Sequence, residues 1–144
     1  MEFIGTYYHI IDDKGRVAVP KKFRDSLISG GVVTKGLDGC LFMFSADYWN
    51  ELSAKLRTLP LGQKVARDFI RLMTYNAAPI EFDHLGRTRF PLPLAESVSI
   101  KKDVVFVGTI TRIEVWDKKT YHSYFDELAK REGELSESLG ALAI

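Results

Sequence analysis

The pattern of apolar and polar residues divides the chain into short strands and longer helices. Runs rich in β-branched and aromatic residues surround Gly15 and Gly86, as in strands that are joined by tight turns. Farther along, apolar residues recur at the spacing of one helix face, which predicts three helices. Their stripes are Trp49, Leu52 and Leu56; Val65, Phe69, Leu72 and Met73; and Tyr121, Tyr124, Phe125 and Leu128. Ser45 and Asp117 are suitable N-caps for the first and the last helix, and we expect the acidic tail beyond Gly133 to fray.

The second half of the chain repeats the first. A shift of 71 residues places Asp12, Gly15, Arg16 and Pro20 on Asp83, Gly86, Arg87 and Pro91, which makes four identities in nine positions. With one further residue inserted, residues 32–36 fall on 104–108 and residues 41–49 fall on 113–121. Each copy therefore predicts a strand, a Gly-Arg turn, a short strand ended by proline, a crossover, two strands and a helix. We place the copies at 5–47 and 76–119, with helices at 48–75 and a C-terminal helix and tail at 120–144.

This repeat predicts a mostly β, α+β fold with peripheral helices. A length of 144 residues suits one domain. Short duplicated strands favour a small barrel whose two halves pair about a pseudo-two-fold axis, because neither half alone could bury its apolar face.

Charge is distributed unevenly although the formal net charge is only +1. Five basic residues and no acid lie between positions 14 and 24: Lys14, Arg16, Lys21, Lys22 and Arg24. The equivalent segment of the second copy carries Arg87 and Arg89, again without an acid, whereas the chain from Arg112 onward is net acidic. Both basic segments coincide with the repeated turn, which indicates a localised polyanion site; ordinary solvated turns are the simpler alternative.

The repeated Asp-x-x-Gly-Arg element suggests specific roles for its residues. Asp12 and Asp83 can accept hydrogen bonds from turn amides, with Gly15 and Gly86 supplying the bend. A carboxylate can also hold a guanidinium in one direction, and an oriented arginine suits bidentate recognition of guanine or phosphate. We therefore consider Arg16 and Arg87 the main candidates for nucleic-acid contact.

Other chemistry finds little support. Cys40 is the only cysteine, which excludes an intrachain disulfide framework and a multi-cysteine zinc site. His9, His84 and His122 have no metal-ligand spacing, and neither an esterase elbow nor a P-loop motif is present. We predict no catalytic residue, metal, cofactor or small-molecule substrate. The first ten residues do not resemble a secretory signal and no apolar run approaches a membrane span, so we expect a cytoplasmic protein.

The segment from Asp12 to Arg24 resembles the signature of the AbrB-type swapped-hairpin, double-psi-like barrel DNA-binding fold. Together with the second Asp83-to-Arg87 element, the length and the intervening helices, the chain resembles the bacterial MraZ family over nearly its whole length. This resemblance implies a transcription regulator at the nucleoid, encoded at the head of the division and cell-wall gene cluster. It would form a ring-shaped homo-oligomer that binds short, G-rich direct repeats of double-stranded DNA in its own promoter, usually as a repressor.

By the same resemblance, Arg16 and Arg87 would contact DNA, supported by Asp12 and Asp83. The second copy departs from the first, since it has Leu92, Pro93 and Ala95 in place of Lys21, Lys22 and Arg24. Phosphate anchoring would then depend mainly on the first copy. An alternative remains open, in which the same fold serves as an antitoxin-like scaffold whose main partner is another protein.

Overall fold

The computed structural model of the protein describes residues 2–142 and has the predicted α+β character. The first copy and the helices after it comprise β1 (Phe3–Ile10), β2 (Arg16–Ala18), α1 (Lys21–Arg24), β3 (Gly31–Lys35), β4 (Leu41–Ser45), α2 (Ala46–Arg57) and α3 (Lys64–Thr74). The second copy and the tail comprise β5 (Ala78–Pro79), β6 (Arg87–Arg89), α4 (Leu92–Ser97), β7 (Asp103–Ile110), β8 (Ile113–Asp117), α5 (Lys118–Lys130) and α6 (Glu132–Ala141). The elements therefore repeat in the same order, as the sequence predicts.

The strands form an open sheet and not a closed barrel. Six strands lie in the order β1-β7-β8-β4-β3-β5, and β2 pairs with β6 in a separate two-stranded ribbon. Closure would require the two edge strands β1 and β5 to pair. However, β5 has two residues where β1 has eight, and one of the two is Pro79, which has no N–H to donate.

The two copies are interleaved rather than placed side by side. The first strand of each copy pairs with the third strand of the other, since β1 pairs with β7 and β5 pairs with β3, all antiparallel. Neither copy therefore contains its own complete set of sheet partners, which agrees with the expectation that neither half could fold alone.

A pseudo-two-fold axis passes through both sheets. In the β2–β6 ribbon the central pair is Val17 with Thr88, equivalent positions of the two copies. In the large sheet, β4 and β8 pair antiparallel, and their central pair is Phe42 with Glu114, which are also equivalent. The axis therefore passes through the Val17–Thr88 pair and the Phe42–Glu114 pair, as the repeat predicts.

The sequence alignment of the third strands is wrong by one residue. Val32 pairs with Phe44, and Val105 pairs with Trp116, the equivalent of Phe44. Val32 therefore corresponds to Val105 and not to Val104. The reason is that five residues separate the last residue pair of β3 and β4, Lys35 with Leu41, whereas four separate the last pair of β7 and β8, Gly108 with Ile113.

Apolar residues cover both faces of the large sheet. One core lies under the ribbon and the short helices α1 and α4, which insert the equivalent residues Phe23 and Leu94. The other core lies under α2, α3 and α5, where Phe44 and Trp116 are buried. The sequence pattern did not predict α1 and α4, because helices of four and six residues are too short to show a periodic stripe.

The longer helices begin where the sequence predicts. The Ser45 hydroxyl accepts a hydrogen bond from the Tyr48 N–H at the start of α2, and the Asp117 carboxylate accepts one from the Lys119 N–H at the start of α5. The expected fraying of the tail is wrong as far as Ala141, since α6 is helical there. The last two residues of the predicted segment 120–144 lie outside the described residues. In the part of the chain from 2 to 142, no helix combines the length and apolarity that a membrane crossing requires.

Candidate nucleic-acid interface

The first repeated turn is organised around the carboxylate of Asp12. Its Oδ1 accepts hydrogen bonds from the backbone N–H of Lys14 at 3.0 Å and of Arg16 at 2.8 Å. The backbone closes the same turn, because the Asp12 N–H donates to the Arg16 carbonyl oxygen. Gly15 has a φ of +79°, a conformation that residues with a Cβ rarely adopt. Asp12 and Gly15 are two of the residues for which the sequence suggests a turn-supporting role.

The second turn reproduces the first bond for bond. The Asp83 Oδ1 accepts from the backbone N–H groups of Leu85 and Arg87, both at 2.9 Å, and the Asp83 N–H donates to the Arg87 carbonyl oxygen. Gly86 has a φ of +76°. Because two independent stretches of chain build the same structure, the Asp-x-x-Gly-Arg element determines it locally.

Each aspartate also fixes its arginine. Asp12 Oδ2 accepts the Nε–H of Arg16, and Asp83 Oδ2 accepts the Nε–H of Arg87, both at 2.8 Å. This end-on contact leaves the terminal nitrogens of each guanidinium for another acceptor. The backbone N–H of Arg16, with its guanidinium and the Lys14 N–H, holds the pKa of Asp12 below its ordinary value. The backbone N–H of Arg87, with the equivalent groups, does the same for the pKa of Asp83.

Three arginines share the outward face of the β2–β6 ribbon. Arg16 pairs with Arg89, and Arg87 pairs with Ala18, on either side of the central Val17–Thr88 pair. Side chains alternate between the two faces of a strand, so the arginines lie opposite the buried Val17 and Thr88. The ribbon therefore buries Val17 and Thr88 toward the core and presents arginines toward solvent.

The two turns contact each other across the ribbon. The Arg87 Nη1 lies 3.8 Å from the Asp12 Oδ2, so one carboxylate faces guanidinium groups of both copies. A cleft of about 440 Å³ opens beside them, lined by Arg16, Arg87 and Arg89 and by the acids Glu81 and Asp83. The arginines thus form one continuous patch rather than two separate sites.

The remaining predicted basic residues differ in their surroundings. Lys14 is exposed in the first turn, and Lys21 and Lys22 are exposed on α1. Arg24 is half-buried, because its guanidinium packs against the second turn where a Cβ on Gly86 would stand. In the described part of the chain, no atom occupies the equivalent space at Gly15. Arg24 therefore connects helix α1 of the first copy to the turn of the second.

Sequence reasoning missed two of these relations. The alternation in Arg87-Thr88-Arg89 indicates that both arginines lie on one strand face, but their position opposite Arg16 requires the swapped pairing of the copies. Nothing in the sequence indicates the contact of Arg24 with Gly86, since the two residues are far apart in the chain. Both relations depend on the interleaving of the halves.

Residues 2–142 offer neither a metal-binding cluster nor an accessible thiol. Within residues 2–142, no three His, Cys, Asp or Glu side chains lie close enough together to hold a metal ion. Cys40 is fully buried, and burial raises the pKa of its thiol well above the ordinary value. A neutral, inaccessible thiol is a poor nucleophile.

Comparison with known proteins assigns the chain to a family. The family model described as "MraZ protein, putative antitoxin-like" matches residues 3–72 and again residues 73–138, one match for each copy. The protein belongs to the MraZ family. A relative from Thermoanaerobacter sp. (strain X514) is 44% identical over 141 residues, covering 98% of this chain and 99% of that protein. A relative from Acetivibrio thermocellus is 42% identical over 142 residues, covering 99% of each. Both of these MraZ relatives carry the name "Transcriptional regulator MraZ".

Proposed function

We propose that this protein is a transcription regulator, and not an enzyme, that binds double-stranded DNA in a sequence-specific manner through the β2–β6 ribbon. The observation that carries the proposal is the ribbon face with Arg16, Arg87 and Arg89, two of which are held by their own aspartates. A two-stranded ribbon fits the major groove of B-DNA, which is about 12 Å wide. The names of the MraZ relatives support a role in regulation.

In this proposal Arg16 and Arg87 contact bases. Their Nε–H groups are taken by carboxylates, so each presents its terminal nitrogens in a fixed direction. Two donors held in this way match the O6 and N7 acceptors of guanine, which agrees with a G-rich operator. Holding the side chain before binding also reduces the conformational entropy that binding costs.

The lysines and the other arginines have positioning roles. Exposed Lys14, Lys21 and Lys22 contact phosphates at the margin of the ribbon, and Arg89 joins them from the second copy. Such contacts strengthen binding without reading sequence. Arg24 contributes by holding the second turn, because it packs against Gly86.

The protein acts as a ring-shaped oligomer on short direct repeats in its own promoter, as a repressor of the division and cell-wall gene cluster at the nucleoid. The family resemblance supports this part of the proposal. A net charge of +1 also favours an oligomer, since one copy neutralises few phosphates and several linked copies act through effective concentration. Repeats about 10 base pairs apart present the same groove face to neighbouring copies.

A second candidate function is a scaffold whose main partner is another protein. The description of the matched family as antitoxin-like favours this candidate. Such a protein would not need aligned arginines on a ribbon, so we prefer the DNA-binding function.

The test is a titration of labelled duplex from the region upstream of the protein's own coding sequence, at several salt concentrations, with scrambled duplex as competitor. We expect Arg16→Ala and Arg87→Ala each to weaken binding by about 1–3 kcal/mol and to relax base preference. Lys21→Ala should weaken binding to all sequences and lower the salt slope by about 1. Arg57→Ala, an exposed change on α2 outside the ribbon, is the matched control.

Two results would reject the DNA-binding proposal. One is equal affinity of the wild-type protein for upstream and scrambled duplex. The other is unchanged binding by both Arg16→Ala and Arg87→Ala relative to Arg57→Ala. Either result would favour the second candidate function, a scaffold whose main partner is another protein.

A further inference from the structure

A second basic surface lies at the end of the large sheet where β1 ends and where β7 and α5 begin. A cleft of about 660 Å³ opens there and is lined by polar residues. We call it the lysine cleft, because two lysines just before β7 and two in the first turn of α5 line it: Lys101, Lys102, Lys118 and Lys119. All four side chains are exposed.

The positive charge of the lysine cleft is not neutralised by its own acids. Asp103 and Asp117 also line it, and the carboxylate of Asp117 accepts the backbone N–H of Lys119 as the cap of α5. Within residues 2–142, none of the four lysines forms an ion pair, and the lysines and aspartates of the lining leave a formal charge of +2. Cations are favoured at the C-terminal end of a helix and not at its start, so the stability of α5 does not account for its first two lysines.

The lysine cleft borders the first repeated turn. Strand β1 pairs with β7 up to its last residue, Ile10, which lies opposite Asp103. The next residue, Ile11, donates its N–H to the carbonyl oxygen of Lys102 at 2.7 Å, and Asp12 of the turn follows. Because consecutive Cα atoms are about 3.8 Å apart, the Lys102 backbone lies within about 10 Å of Asp12. The cleft therefore continues the basic surface of the ribbon beyond the first turn.

The short helices beside the two turns differ in charge. Helix α1 stands beside the second turn, because its Arg24 packs against Gly86, and it carries the exposed Lys21 and Lys22. The pseudo-two-fold axis places α4 beside the first turn, and the sequence of α4 contains no basic residue. The lysine cleft thus supplies, on the side of the first turn, the positive charge that α4 lacks.

The equivalent cleft of the other copy has the opposite charge. It has a volume of about 460 Å³ and lies at the matching positions of β3, β4 and α2. There Ser29 takes the place of Lys102. Asp47 takes the place of Lys119. Within the described chain, the charged residues that line this cleft are the acids Glu2, Asp25, Asp47 and Glu51. Polyanions are therefore attracted to one of the two clefts and repelled by the other.

We propose that the lysine cleft binds phosphate groups of the DNA duplex beyond the first turn, while α1 binds those beyond the second turn. The ribbon then has one phosphate-binding element on each side, and the second copy supplies one of the two. Four mobile ammonium groups suit this role, since they attract phosphates without reading bases. The inference rests on the proposed function, because it requires DNA on the ribbon.

The test compares the affinity of the full-length protein for upstream and scrambled duplex at several salt concentrations. Lys102→Gln/Lys119→Gln removes two charges from the lysine cleft; both positions are exposed, so the variant should fold, which circular dichroism checks. Each phosphate contact contributes about 0.9 to the slope of log affinity against log salt, so this slope should fall by about 1.8. Affinity for the two duplexes should fall by the same factor, so the base preference is kept.

Lys55→Gln/Arg57→Gln is the matched control. It removes the same charge from exposed positions of α2, outside the lysine cleft and the ribbon. The control should keep the wild-type salt slope. A control that lowers the slope as much as the cleft variant would overturn the proposal, because the effect would then be one of net charge alone.

A free phosphate compound has the same chemistry as the DNA backbone, so a calorimetric titration with inorganic pyrophosphate separates the two sources. We expect no saturable binding at micromolar concentration, because the lysines are open to solvent. Micromolar binding that the cleft variant loses, together with an unchanged salt slope for DNA, would overturn the proposal in favour of a small-molecule site.

The remaining outcomes separate this proposal from the proposed function. If the wild-type protein prefers upstream duplex and Arg16→Ala loses that preference, a cleft variant with the wild-type slope rejects the lysine cleft alone. If the wild-type protein binds both duplexes equally and the cleft variant lowers the slope, the sequence-specific function is rejected and the lysine cleft stands. A wild-type protein that binds neither duplex rejects both.

Discussion

Replacing Gly86 with alanine should cost more stability than replacing Gly15, although the two glycines have nearly the same backbone conformation. Each alanine must enter the left-handed region, which costs about 1–2 kcal/mol. At Gly15 a new Cβ meets no atom of residues 2–142 within 4 Å, so this strain is the main cost. At Gly86 the Cβ would overlap the guanidinium of Arg24, which must move away. Displacing that side chain from its preferred rotamer adds about 0.5–1.5 kcal/mol.

The assay is urea unfolding of both alanine variants, in the wild-type background and in an Arg24→Ala background. Protein concentration is held constant because any self-association would contribute to the apparent stability. In the wild-type background Gly86→Ala should have the lower free energy of unfolding. In the Arg24→Ala background the two substitutions should cost the same. A difference that persists without Arg24, or equal costs in its presence, would refute the proposed contact between α1 and the second turn.

Two further predictions concern the turns and helix α3. The lowered pKa values of Asp12 and Asp83 mean that their contribution to stability is present above the ordinary aspartate range, near pH 4, and is lost as pH falls through the lowered values. Urea unfolding of the Asp12→Asn variant should therefore depend less on pH in this acid range than unfolding of the wild type; identical slopes would contradict the assignment. Thr34 Oγ1 donates to the Met73 carbonyl oxygen near the end of α3 at 2.6 Å, so Thr34→Val should lower the free energy of unfolding by about 1 kcal/mol. Unchanged stability of that variant would show that the bond does not help to hold α3 on the sheet.

Local chemistry made part of the structure predictable from sequence. Both turns follow from Asp12, Gly15 and their copies, because the hydrogen bonds involved span at most four residues. The starts of α2 and α5 follow from Ser45 and Asp117 for the same reason. The repeated order of elements and the pseudo-two-fold axis were also predictable, because they follow from the repeat itself.

The rest depended on information that no short segment contains. The large sheet stays open because its edge strand β5 has only two residues. The register of β7 differs from that of β3 because the loop after β7 is one residue shorter. The meeting of Arg16 with Arg89 depends on the pairing of β2 with β6, and that of Arg24 with Gly86 on a contact between helix α1 and the second turn, so both join the two copies. Fraying was expected where α6 forms, because an acidic segment without aromatic residues is typical of disorder. The helical spacing of Leu135, Leu139 and Leu142 is the signal that indicates a helix there.

The interleaving of the two copies also affects how the chain is made. Within residues 2–142, the only sheet partner of β1 is β7, and the register joins Phe3 to Ile110, which are more than a hundred residues apart. During synthesis at about 5–20 residues per second, β1 therefore leaves the ribosome roughly 5–20 s before its partner exists. Throughout that interval, the backbone N–H and C=O groups of β1 have no native strand to pair with. The duplication that aligns three arginines on one ribbon thus makes completion of the large sheet one of the last events in the synthesis of this protein.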